Sequence, residues 1–193
     1  MIKRAIEERI HNALAKKKVV TIMGPRQVGK STLASAMIPE DANVLEINGD
    51  NTDVQTMFVN VDDTKMKVLI GNKNFLFVDE AQKIGNVGNM LKIVAEKFDD
   101  VKVIVTGSSA FKLAEAVNDS LTGRKREFRL YPLSFKEMAD ETSVLEESRM
   151  IDHRLIYGYY PEVVTSPGDE KEVIKELIDS YLYKDVLEEN EIA

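Results

Sequence analysis

Short apolar runs alternate along this chain with longer stretches in which apolar residues recur every third or fourth position. Val19-Val20-Thr21-Ile22-Met23, Val44-Leu45-Glu46-Ile47-Asn48, Phe75-Leu76-Phe77-Val78 and Val101-Lys102-Val103-Ile104-Val105-Thr106 read as strands. The first and third are continuous enough to be buried on both faces, as in a parallel sheet. A shorter strand is expected at Glu127-Phe128-Arg129-Leu130. Ile2, Ile6, Ile10 and Leu14 mark an amphipathic helix that Lys16-Lys17-Lys18 closes, where cations suit the C-terminal dipole. Residues 31–37 and 86–98 read as helices, and 52–70 as two helical pieces with Asp62-Asp63-Thr64 capping the second. A further helix is expected from Phe111. Beyond Pro132 the pattern is helical: 134–140 with a Ser134/Glu137 capping box, 144–157, an interruption at Gly158–Glu162, and 170–189.

Composition narrows the chemistry. A length of 193 residues suits one domain with a sizeable core, or one domain plus a helical appendage. A net charge of -7 argues against a globally basic nucleic-acid surface, although a local basic patch is compatible with it. The chain has no cysteine, which excludes disulfides, thiolate metal sites and cysteine nucleophiles. His11 and His153 are far apart in sequence and read as surface or helix-face residues. No apolar run is long enough for a membrane helix, and the charged N-terminus lacks a signal-peptide core. The expected location is therefore cytoplasmic, with no membrane partner.

Candidate chemistry begins where the first strand ends. Gly24-Pro25-Arg26-Gln27-Val28-Gly29-Lys30-Ser31, followed by Thr32, fits G-x-x-x-x-G-K-[ST] between a strand and a helix. The glycines bring backbone N–H groups against phosphate oxygens, and the helix N-terminus adds partial positive charge. Lys30 suits the β- and γ-phosphates, and the Ser31 hydroxyl suits Mg²⁺. Arg26 and Gln27 read as exposed loop residues. Asp79-Glu80 then ends a buried strand at the edge where parallel sheets bind ligands. There Asp79 can hold Mg²⁺ and Glu80 can orient or deprotonate a water.

At the tip of the next strand, Ser108, or second Thr106, is a candidate for contact with the γ-phosphate or the attacking water. The alternative is a helix N-cap by Ser108 or Ser109. Four cations, Arg124, Lys125, Arg126 and Arg129, cluster near the short strand. They read either as a solvated basic loop or as the source of an arginine finger, Arg124 ahead of Arg126. A guanine-reading motif is missing, because Asn72-Lys73-Asn74-Phe75 lacks its aspartate.

Together, GPRQVGKST (24–32), FLFVDEAQKI (75–84), VIVTGSSAFKL (103–113), LTGRKREFRLYPLSFKE (121–137) and GYYPEVV (158–164) resemble a bacterial and archaeal family of AAA+-like P-loop ATPases. The resemblance spans nearly the whole chain. It implies an α/β, three-layer P-loop NTPase fold with a parallel sheet in the order 5-1-4-3-2 and a helical C-terminal extension. It assigns Lys30 and Ser31 to phosphate and Mg²⁺, Asp79 to Mg²⁺, Glu80 to water activation, Ser108 to sensing and Arg124 to the family's Gly-Arg position. It places the ATPase core at 1–132 and a helical extension at 133–193, with the second C-terminal domain usual in the family missing after Ala193.

The function expected from these residues is Mg²⁺-dependent ATP binding and hydrolysis. Two alternatives stand beside it: a nucleotide-gated regulatory module with little turnover, and a nucleic-acid-stimulated motor. A homo-oligomer could supply Arg124 in trans. DNA would be reached only through the missing C-terminal region.

Overall fold

The computed structural model describes residues 1–108 and 121–179. Ser109, the helix expected from Phe111 and the last part of the helix expected at 170–189 lie outside the described residues. The chain divides into two compact units. One comprises residues 5–25 and 29–130. The other comprises 1–4, 26–28 and, within the described chain, 131–179.

The first unit is built on five parallel strands: β1 (Val19–Met23), β2 (Val44–Asn48), β3 (Phe75–Asp79), β4 (Lys102–Gly107) and β5 (Lys125–Arg129). Their spatial order is β2-β3-β4-β1-β5, the expected 5-1-4-3-2 read from the other edge. Hydrophobicity separates centre from edge. Every residue of β1 is buried, as are all of β3 but Asp79 and all of β4 but Lys102. β2 and β5 have one neighbour each and keep charged or half-exposed side chains. Charge on an edge strand also discourages pairing with other chains.

Helices cover both faces. α1 (Glu7–Ala15) packs on β1, and α2 (Lys30–Ala36) on β1 and β4. On the opposite face, Val19, Met23, Leu76, Val78, Val103 and Val105 form one cluster with residues of the other helices. These are Met66 and Ile70 of α4 (Asp63–Ile70) and Val87, Met90, Leu91 and Val94 of α5 (Val87–Lys97). A short helix, α3 (Thr52–Met57), precedes α4, whose N-cap Asp62 accepts the Lys65 N–H at 2.8 Å.

Three sequence expectations shift. The N-terminal helix starts at Glu7 instead of near Ile2, because Arg4 is fixed by tertiary hydrogen bonds outside the helix. β5 begins at Lys125, because an edge strand is set by backbone pairing, here Val19 opposite Lys125, and tolerates charges the pattern does not count. The helix expected at 144–157 is two, α7 (Val144–Arg149) and α8 (Ile151–Tyr157), joined at Met150. The bend accompanies a buried ion pair between Arg154 Nε and Glu147 Oε1 at 3.0 Å. In a straight helix these positions rise about 10 Å apart.

The second unit also contains α6 (Phe135–Glu141), α9 (Pro161–Thr165) and the helical residues 170–179, α10. The expected capping box is present: Ser134 Oγ accepts the Glu137 N–H at 3.2 Å and Glu137 Oε2 accepts the Ser134 N–H at 2.8 Å. Its other carboxylate oxygen accepts from Arg4 Nε at 3.1 Å. The Arg4 guanidinium also donates to the carbonyls of Val28, at 3.1 Å, and Tyr131, at 2.6 Å. Arg4 therefore joins the N-terminus, the phosphate-loop tip and the start of α6, all within this unit.

Both Arg4 and Glu137 are buried. Removing one partner of such a pair leaves an uncompensated charge in low dielectric. Arg4→Met is expected to destabilise the chain by about 3–5 kcal/mol. Arg4→Met/Glu137→Gln should lose less than the sum of its single changes, because the two sites share one interaction. Urea unfolding of the four proteins checks both statements.

Candidate active site

Parallel pairing brings Asn48 beside Asp79, and Met23 beside both Gly107 and Arg129. The C-terminal tips of the strands thus share one edge of the sheet, and the phosphate loop leaves that edge directly after Met23. Gln27 (φ 55°) and Gly29 (φ 93°) both lie in the left-handed region. Glycine adopts that region at no cost, and alternating backbone handedness turns successive N–H groups towards a concavity. Gln27 is exposed, as expected, whereas Arg26 is half-buried and Val28 fully buried.

Lys30 begins α2 and is buried to 5 % exposure. Its Nζ donates to the Pro25 carbonyl at 2.8 Å, spanning the loop from within. Ser31 follows on the same helical turn, and its Oγ donates to Asp79 Oδ1 at 3.0 Å. Thr106, wholly buried on β4, donates to the same carboxylate oxygen. The Glu80 N–H reaches that oxygen as well, at 3.2 Å. Asp79 is thereby fixed by neighbours from three segments. Thr106, the second candidate at this strand tip, thus directs its hydroxyl to Asp79.

Glu80 occupies the left-handed region (φ 48°, ψ 45°), a conformation that costs a non-glycine residue roughly 1–2 kcal/mol. A single 3₁₀ turn, Ala81–Lys83, follows and folds Gln82 back. Gln82 Nε2 donates to Glu80 Oε2 at 2.5 Å and to Ser108 Oγ at 3.0 Å. The Ser108 hydroxyl donates to Glu80 Oε2 at 3.2 Å. Gln82 Oε1 is buried without a hydrogen-bond partner among the described residues.

The donor set fits a hydrated Mg²⁺ beside a bound polyphosphate. Ser31 and Asp79 offer hard oxygens within hydrogen-bond distance of each other, the kind of ligand Mg²⁺ prefers while keeping several waters. Backbone N–H groups, the α2 N-terminus and the Lys30 ammonium suit phosphate oxygens.

A family model described as an AAA domain (AAA_14) matches residues 16–139. The chain belongs to that family. Among curated relatives, this AAA domain is 24% identical over 206 residues to an uncharacterized protein of Methanocaldococcus jannaschii, covering 98% of this chain and 46% of the relative. It is 29% identical over 119 residues to an uncharacterized protein of Haemophilus influenzae, covering 59% of this chain and 30% of the relative. The chain thus spans less than half the length of these relatives. Its fold is similar to the Walker-type ATPase PABY2304 of Pyrococcus abyssi, with a TM-score of 0.61, 16% identity and coverage of 99% and 76% of the two chains. It is also similar to a signal transduction ATPase with a tetratricopeptide repeat sensor, PH0952 of Pyrococcus horikoshii, with a TM-score of 0.57, 14% identity and coverage of 93% and 32%. These likenesses make the chain a P-loop ATPase domain of AAA type by family and fold.

The AAA domain brings Lys30, Ser31, Asp79, Glu80 and Ser108 to one sheet edge, but Arg124 is elsewhere. It precedes β5, and its carbonyl accepts the Val19 N–H at 3.0 Å, at the N-terminal end of the strands. A five-residue strand separates that end from the loop by about 15 Å. The Arg124 guanidinium is paired with Glu96 Oε1 of α5 at 2.5 Å. A finger role towards the loop of its own chain does not fit this placement, and would need a neighbouring copy.

Sequence reasoning missed two residues. Gln82 was legible as a polar residue two after Glu80, but only the turn reveals that it points back. Gly49 ends β2, and its N–H donates to the Asp79 carbonyl at 2.8 Å. A Cβ there would stand 2.2 Å from the Glu80 carbonyl oxygen. Backbone meets backbone, so neither can swing away. Gly49→Ala is expected to destabilise the domain by about 1–3 kcal/mol, measurable by thermal or urea unfolding.

Proposed function

We propose that this AAA domain binds MgATP at the phosphate loop and hydrolyses it, with Glu80 activating the attacking water. The observation that carries the reading is the convergence on Asp79 Oδ1 of Ser31 from the phosphate loop and Thr106 from the adjacent strand, next to Glu80. Lys30 would exchange its bond to the Pro25 carbonyl for phosphate oxygens. Ser31 and Asp79 would hold Mg²⁺, with the Ser31 proton already directed to Asp79 and its oxygen lone pairs left for the metal. Mg²⁺, when bound, would neutralise negative charge that develops on the phosphates.

In the proposed reaction, Glu80 takes a proton from water as the water oxygen forms a bond to the γ-phosphorus. The bond from that phosphorus to the β–γ bridging oxygen breaks, and ADP leaves. Gln82 and Ser108 orient the carboxylate through its Oε2, leaving Oε1 for the water. Catalysis of this kind rests on positioning and electrostatics more than on covalent chemistry.

The same clamp supports a second reading, a nucleotide-gated module with little turnover. Two donors on Glu80 Oε2 tie the side chain down. The readings differ in the effect of Gln82→Ala. An orienting glutamine predicts slower hydrolysis, by about tenfold, whereas a restraining one predicts faster hydrolysis.

Glu80→Gln is expected to cut Mg²⁺-dependent phosphate release by about 10²–10⁴-fold while leaving ATP affinity nearly unchanged. Phosphate-release assays with nucleotide titration by calorimetry check it. Equal turnover in the wild type and variant would overturn the role of Glu80. Lys30→Ala is expected to weaken nucleotide binding itself, and EDTA to stop release in the wild type.

A further inference from the structure

Away from the phosphate loop, the sheet unit has a second hollow whose charge is of one sign. It lies between α1 and the edge strand β5 and has a volume of about 220 Å³. Arg9 lines it from α1, Lys16 from that helix's C-cap, Lys18 from the turn into β1, and Arg126 from β5. Among the described residues, no carboxylate lines it.

The arrangement follows from two periodicities. Arg9, Asn12 and Lys16 are spaced i, i+3 and i+7 on one face of α1 and its C-cap. Arg126 and Phe128 are two apart and share one face of β5. Between them sits Ala13, a buried residue whose small side chain leaves the space open. The Arg9 guanidinium carbon lies 5.5 Å from the centroid of the Phe128 ring, which seats that cation on an apolar wall.

Several other cations of this unit face carboxylates. Lys17, Lys83, Lys97, Arg124 and Lys125 each face a carboxylate. Arg9, Lys16 and Arg126 form no ion pair among the described residues, and Lys18 donates to the Gly123 carbonyl. In a chain of net charge -7, four cations around one hollow create a local positive potential that attracts anions. Arg9, Asn12, Lys16 and Arg126 are all exposed at the rim. An open basic rim with an amide suits a strand that passes across it more than a small anion that must be enclosed.

We propose that this groove binds the sugar–phosphate backbone of single-stranded nucleic acid. The site is separate from the phosphate loop, because it lies on the outer edge strand and not at the strand tips. It also differs from the expectation that DNA is reached only through a further C-terminal region.

The test is fluorescence anisotropy of a labelled 20-nucleotide single-stranded DNA with the chain, over 50–200 mM KCl. Four phosphate contacts predict a slope near -3 in log K against log salt, or an affinity loss of about 50-fold across that range. Arg9→Glu/Arg126→Glu is expected to abolish most binding. The milder Arg9→Gln/Lys16→Gln should about halve the slope without reversing any charge, and covers the case in which the first variant folds poorly. Ala13→Trp, which fills the hollow and leaves every charge in place, should weaken binding about tenfold. Lys30→Ala should bind the strand as the wild type does, and Arg9→Gln/Lys16→Gln should keep the basal ATPase rate. No strand binding by the wild type at 50 mM KCl would overturn the proposal. So would binding indifferent to the groove variants, binding lost with Lys30→Ala, a preference for duplex DNA, or equal groove-dependent binding of inorganic tripolyphosphate.

Discussion

One carboxylate oxygen organises the edge of the sheet beside the phosphate loop. Asp79 Oδ1 accepts from Ser31 on α2, from Thr106 on β4 and from the backbone of Glu80. These bonds tie the first turn after the phosphate loop to two neighbouring strand ends. Two hydroxyl protons directed at one carboxylate oxygen fix that oxygen's position from two sides. The arrangement holds the Asp79 carboxylate at the strand tips and leaves the hydroxyl lone pairs facing away from it. A cation beside Ser31 would meet prepared oxygens and little reorganisation, which is the condition for electrostatic preorganisation.

The strain next to that carboxylate has a visible cause. Glu80 is left-handed because the chain must leave β3 and immediately enter the 3₁₀ turn that returns Gln82. Gly49 makes room for the displaced Glu80 carbonyl on the neighbouring strand. A cost of roughly 1–2 kcal/mol is tolerable when many surrounding contacts over-determine the geometry. Here those contacts are the Asp79–Gly49 backbone bond and the two donors on the Glu80 carboxylate. Backbone strain, a missing Cβ and an acidic side chain thus form one local unit.

Much of this was readable from residue types. Continuous burial of β1, β3 and β4 follows from unbroken apolar runs, and Lys30, Ser31, Asp79 and Glu80 follow from motif spacing. What was not readable depended on three dimensions. Thr106 and Ser108 are two residues apart on the same strand end, yet one serves Asp79 and the other Glu80. Gly49 is silent in a pattern that counts side chains. Arg4 looks like an ordinary helix-surface residue until its hydrogen bonds to Val28, Tyr131 and Glu137 remove it from the helix. Arg126 and the α1 cations meet only because β5 pairs with β1 beneath that helix.

Sheet polarity explains why the basic segment near β5 divides as it does. All pairings in the sheet are parallel, so every residue that precedes a strand sits at the edge opposite the phosphate loop. Arg124 precedes β5 and is committed to that edge by its backbone bond to Val19 before its side chain plays any part. Within the strand, alternation takes over: Arg126 shares a face with Phe128, towards α1, while Lys125 pairs with Glu127 on the other face. Four neighbouring cations in sequence are therefore not one cluster in space. A one-residue shift in the β1–β5 register would exchange those faces, removing the basic wall beside α1 and exposing Phe128 on the other side. The same pairing that closes the sheet thus also determines where its unpaired positive charge resides.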